Sequence, residues 1–61
     1  MFEFQGDFFN ATAITAIVRE DDDVKIYVYS DGNPFVYSFN DEEEAIENQS
    51  LAVKAWKAAL G

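Results

Sequence analysis

The chain contains no histidine, no cysteine, one proline, three glycines and only four cations, Arg19, Lys25, Lys54 and Lys57, against twelve Asp and Glu. Without cysteine, no disulfide and no thiolate metal site can supplement the core. Without histidine, the commonest general base and the commonest metal ligand are missing, and Ser30, Ser38, Ser50, Thr12 and Thr15 have no imidazole to activate them. No catalytic residue and no cofactor is therefore expected. A formal charge of −8 gives phosphate contacts the wrong sign, so direct nucleic-acid binding is not expected either. Gly6, Gly32 and Gly61 stand alone and form no phosphate-cradling loop. Met1 to Asn10 has neither a basic start nor a continuous apolar run, and no stretch elsewhere suits a membrane helix. The expectation is a protein of the cytoplasm with no membrane contact.

What the chain does contain is apolar and aromatic. Six Phe, three Tyr and one Trp in 61 residues, interleaved with Ile and Val, are a load that a disordered acidic tail would not carry. A single small domain over residues 1–61 is expected, and at this size folding buries only about 60% of the surface exposed by the unfolded chain.

Met1 to Asn10 alternates around Phe2 and Phe4, meets Gly6-Asp7 and resumes at Phe8-Phe9, which suits a short strand or a tiny hairpin. After a turn at Asn10-Ala11-Thr12, Ala13 to Arg19 is a β-branched run of strand length. Glu20 to Asp23 connects it to Val24–Tyr29, the clearest alternating strand in the chain. Asp31-Gly32-Asn33-Pro34 is a turn by composition, and Phe35 to Phe39 returns. From Asn40 the period becomes helical, with Asn40 as the expected cap and Glu43 reaching back. Ala45, Ile46, Gln49, Ala52, Val53, Trp56, Ala59 and Leu60 share one stripe. Gln49 is the one polar residue on it, expected at the boundary or bonded to the sheet. The fold class predicted is α+β in two layers: an antiparallel β-meander of three to four strands with one C-terminal helix packed on one face. This order of parts is similar to that of small bacterial and phage proteins of four strands and a helix, and no motif assigns a family.

A symmetric hairpin around Gly32-Asn33 would pair Ser30 with Phe35, Val28 with Tyr37 and Ile26 with Phe39. Val24, Ile26, Val28, Phe35, Tyr37 and Phe39 would then meet Ile46, Val53, Trp56 and Leu60 of the helix. The opposite face would carry Lys25, Tyr27, Tyr29, Val36 and Ser38. Two registers are open for the preceding hairpin: a four-residue loop sends Ile14, Ala16 and Val18 to the tyrosine face, and a loop one residue shorter sends them to the helix face. Either way an apolar patch remains uncovered, which marks an interface in a small soluble protein. Tyr27, Tyr29 and Val36 are its candidate residues, with Leu51 of the helix extending it, and the expected partner is a second copy of the chain.

The remaining signal is charge. Glu20, Asp21, Asp22 and Asp23 form one run and Asp41, Glu42, Glu43 and Glu44 another. The predicted topology puts both at one end of the sheet, as an acidic pole. A solvated turn and a helix start are ordinary places for Asp and Glu. The contiguous acids also lack the alternating spacing and glycine of a calcium loop, so no metal site is assigned. The leading expectation is a non-enzymatic, homodimeric protein–protein interaction module. The alternative is an acidic mimic of DNA that occupies the groove of a basic DNA-binding protein.

Overall fold

A computed structural model of the chain describes residues 1–30 and 32–61. Strand β1 (Phe2–Phe4) pairs antiparallel with β2 (Asp7–Phe9), and a short 3-10 turn over Ala11–Ala13 follows. Strands β3 (Ile14–Glu20), β4 (Asp23–Val28) and β5 (Phe35–Ser38) form a separate antiparallel sheet in chain order, and helix α1 spans Glu42–Leu60. The fold is α+β, with a three-stranded meander. The N-terminal segment is not its fourth strand but a hairpin of its own, closed by Gln5 at φ 51 and Gly6 at φ 83, the two positive angles of a type I′ turn.

The hairpin lies in the same layer as the helix. Phe4 meets Tyr37 edge-to-face at 4.9 Å between ring centroids, and Phe9 meets Phe35 likewise at 5.1 Å. The helix packs over β3 and β4 and touches β1 and the 3-10 turn. Helix and hairpin together cover one sheet face. Val24 and Ile26 are completely buried beneath them, beside Phe2, Ile14, Ile17, Ala45 and Ala52.

Two registers decide which residues face this core. In β3 and β4, Glu20 pairs with Asp23, Arg19 with Val24, Val18 with Lys25 and Ile17 with Ile26. This is the register of the four-residue loop, with Asp21 at φ 55 in the tight turn. It sends Ala16 and Val18 to the tyrosine face. Ile14 departs from that expectation, because a register shift between Ile14 and Ala16 inserts Thr15 as an extra residue and returns Ile14 to the core.

The β4–β5 hairpin is not symmetric about Gly32-Asn33. Val24 pairs with Tyr37 and Ile26 with Phe35, four residues away from the expected register. The Tyr29 amide donates to Ala13 O at 3.1 Å, so the end of β4 is drawn to β3 instead of continuing along β5. Pro34, with no amide, cannot extend β5. A shift of four preserves the alternation, so the expected faces survive the wrong partners. The Asp31 part of the expected turn lies outside the described residues.

The helix begins one residue later than its composition suggests. Phe39 is still tied to the sheet through its amide, which donates to Asp22 O at 2.9 Å, so Asn40 is not yet a helix terminus. Asp41, in extended conformation, is the cap: its carboxylate accepts from the Glu44 amide at 2.8 Å, and Glu44 Oε1 accepts from the Asn40 amide at 3.0 Å. On the packing stripe, Ala45 and Ala52 are buried and Val53 and Trp56 partly so, whereas Ile46 and Leu60 are 47% and 50% exposed. Two alanines on the contact line let the helix approach closely, and the buried volume expected from Ile46 and Leu60 comes from Phe2, Phe4 and Phe9 instead. Trp56 Nε1 donates to Ala11 O at 2.8 Å, and Gln49 Nε2 donates to Ile17 O at 3.4 Å, so the polar stripe residue is bonded to the sheet.

Replacing Asp41 by Ala should lower stability by about 1 kcal/mol, the usual cost of a lost cap, whereas Asn40→Ala should change it far less. Urea denaturation of both variants checks the assignment, and equal losses would reverse it.

Candidate functional site

The sheet face away from helix and hairpin is built by alternation alone. The registers align Glu20, Asp23 and Ser38 in one cross-strand row, Val18, Lys25 and Val36 in the next, and Ala16 with Tyr27 in a third. Lys25 Nζ donates to Glu20 Oε1 at 2.7 Å, and Ser38 Oγ donates to Asp23 Oδ1 at 2.7 Å. The bond to Glu20 holds the Lys25 ammonium above its ordinary pKa. The cation is thus occupied within its own face, and its stem lies between two valines.

Of the candidate interface residues, Tyr27 and Val36 lie on this face, Tyr27 half-buried and Val36 51% exposed. Tyr29, just beyond the end of β4, is 77% exposed. Val18 and Ala16 join them, a pair that composition alone left between two registers. Leu51 lies elsewhere. It is exposed on the helix and lines, with Phe4, Gln5 and Asn48, a groove of about 290 Å³ between α1 and the N-terminal hairpin. The sheet separates it from Tyr27 and Val36, so it does not extend their patch.

The eight acidic residues are brought to one end. Glu20, Asp21, Asp22 and Asp23 form the β3–β4 turn; Asp41, Glu42, Glu43 and Glu44 form the start of the helix; and the Phe39 amide bonded to Asp22 O ties one to the other. Arg19 spans the two, donating to Asp21 O at 2.9 Å and pairing with Glu42 at 3.5 Å. Sequence reasoning did not single out Arg19, and its place as the only cation flanking an acidic run was the available signal. Asp41, Glu43, Glu44 and Glu47 line a shallow depression of about 280 Å³. Among the described residues, no group of three or more acidic side chains has the arrangement to hold a metal ion. None of the described helices is long and apolar enough to cross a membrane.

Among the described residues, a polar contact joins the two sheets. Tyr37 Oη donates to Asp7 Oδ2 at 2.6 Å across the hairpin–meander junction. Burial, then the bond to Asp7 and its charge, push the Tyr37 phenol well above the ordinary tyrosine pKa.

No family model matches this chain, and neither a curated protein nor a solved structure shows significant similarity to it.

The Tyr37 shift has a sign. Because the folded value lies above the unfolded value of 10.0, the phenol's contribution is complete below that pH and is lost as pH rises through the folded value. Tyr37→Phe should therefore lower stability by about 1 kcal/mol near neutrality and make the decline above about pH 10 shallower. Urea midpoints measured across that range check this, and an unchanged alkaline slope would count against it.

Proposed function

We propose that the protein is a non-catalytic protein–protein interaction module that works as a homodimer in the cytoplasm. The observation that carries this reading is the exposed apolar surface centred on Val36, shared by the uncovered sheet face and the outer strand β5. A monomer of this size gains from covering such a surface, because its own core leaves little margin. The surface depressions at α1 support the non-catalytic part: one is lined by carboxylates alone, and the other brings Glu3 only to amide and apolar side chains. Sedimentation equilibrium at micromolar to millimolar concentration tests the reading. The expected result is a reversible dimer that Val36→Glu weakens at least about tenfold, by placing an unpaired charge on the buried surface. A monomer at every concentration overturns it.

A second reading is favoured by the convergence of both acidic runs on one pole, through the Phe39–Asp22 bond and Arg19. In it, the pole mimics the phosphates of DNA toward a basic DNA-binding protein, without itself binding nucleic acid. It predicts displacement of duplex DNA from a purified basic DNA-binding protein at low salt. The effect should vanish at high salt and when Asp21, Asp22, Glu43 and Glu44 are changed to Lys. Failure to displace DNA at low salt would sink it.

A further inference from the structure

The meander has two edges, and they are unequal. β3 carries a bulge at Thr15, the charged pair Arg19 and Glu20, and a carbonyl, Ile17 O, already bonded by Gln49 of the helix. Those are the ordinary protections of a sheet edge. β5 has none of them. It reads Phe-Val-Tyr-Ser and, of the strands among the described residues, is the one without a charged residue, in a chain of net charge −8.

The ladder shows which backbone groups of β5 are outward. Because the Phe39 amide donates to Asp22 O, those two residues form a hydrogen-bonded pair. Counting back by twos along an antiparallel ladder, Tyr37 and Phe35 also bond to β4, while Val36 and Ser38 direct N–H and C=O away from the sheet. Among the described residues, no backbone bond outside the sheet ladder involves Val36 or Ser38.

We infer that β5 pairs antiparallel with β5 of a second copy, in the register that places Val36 opposite Ser38 and Tyr37 opposite its own counterpart, joining two meanders into one six-stranded sheet. This rests on the homodimer reading and specifies how the two copies meet.

Four features select that arrangement. Four backbone hydrogen bonds form in this register, two from each copy's Val36 and Ser38. Sliding by one pair toward Pro34 would set Ser38 O opposite a residue with no N–H to give, leaving that carbonyl unpaired in each copy, so the proline disfavours that register. On the core side, Phe35, 41% exposed although it pairs with Ile26, comes opposite Phe39 of the second copy and gains a neighbour on its outer side. Charge decides the direction. β5 runs toward Asp41, so antiparallel copies hold their acidic poles at opposite ends of the joint, whereas parallel copies would set them side by side. Stacking of the outer faces is the weaker alternative. It would leave the outward N–H and C=O groups of Val36 and Ser38 without a backbone partner.

The test uses the full chain made by chemical synthesis, with the Val36 amide N-methylated. The modification removes an outward N–H and leaves the side chain and the β4 ladder in place. The dimer dissociation constant measured by sedimentation equilibrium should rise about thirtyfold, the effect of two lost bonds per dimer, with the monomer's circular dichroism unchanged. In the unmodified protein, the Val36 and Ser38 amides should be protected from hydrogen exchange at high concentration and exchange freely on dilution. Tyr27→Glu, one strand in from the edge, should leave the dimer intact. A dimer that survives N-methylation but is broken by Tyr27→Glu overturns edge pairing in favour of face stacking while the homodimer reading stands. A monomer at every concentration, with both amides exchanging freely, overturns both. If N-methylation unfolds the chain, Val36→Lys with the same exchange measurement takes its place, and protection that persists at Ser38 overturns the pairing.

Discussion

The structure depends on a shortage of core. Nineteen helical residues bury only Ala45 and Ala52 outright, so the helix brings a close approach but little volume. The volume comes from rings. Phe4 and Phe9 of the N-terminal hairpin meet Tyr37, Phe39 and Phe35 of the sheet's last strand and its continuation, in contacts of 4.9 to 6.5 Å between centroids, and Phe2 packs behind them against both. Six aromatic side chains thus fasten two sheets that share no ladder. In a chain of this size, rings burying some 150–250 Å² each do what a longer aliphatic core does elsewhere.

The same packing explains why one layer of the molecule is closed and the other is open. Helix and hairpin lie side by side on one face, and among the described residues no element remains for the other. The open face is not left bare of polar groups, since Lys25 is bonded to Glu20 and Asp23 to Ser38 at its acidic end. Its apolar residues are concentrated away from that end, around Val36, Val18 and Tyr27. Charge and apolar surface are therefore separated along the strands as well as between the layers.

The alternating pattern of Val24 to Tyr29 and Phe35 to Phe39 was enough to assign their faces, because the observed shift of four residues preserves parity. Their partners were not legible: the pull of Ala13 O on the Tyr29 amide depends on a residue sixteen positions upstream. Ile14 was misplaced for a comparable reason, since an inserted Thr15 leaves no mark in composition. The charge runs lie at one end because topology relates them, through the Phe39–Asp22 bond and the Arg19–Glu42 pair. Leu51 was grouped with the sheet patch only because helix periodicity says that a residue is off the main stripe and not what lies beneath it. The cap moved from Asn40 to Asp41 because the sheet holds Phe39 one residue longer than local sequence implies.

The indole of Trp56 reaches Ala11 O across 45 positions of chain, and the Gln5–Asn48 and Tyr37–Asp7 bonds span 43 and 30. These long closures contrast with the β3–β4 hairpin, whose strands are joined by two residues. Loop closure must be met before distant contacts reward it. The meander can therefore organise locally, whereas the aromatic layer waits for Phe35 to Phe39 to meet the first ten residues. The N-terminal hairpin, too small to be stable alone, is thus tied down first by rings of the last strand and then by Asn48 and Trp56 of the helix.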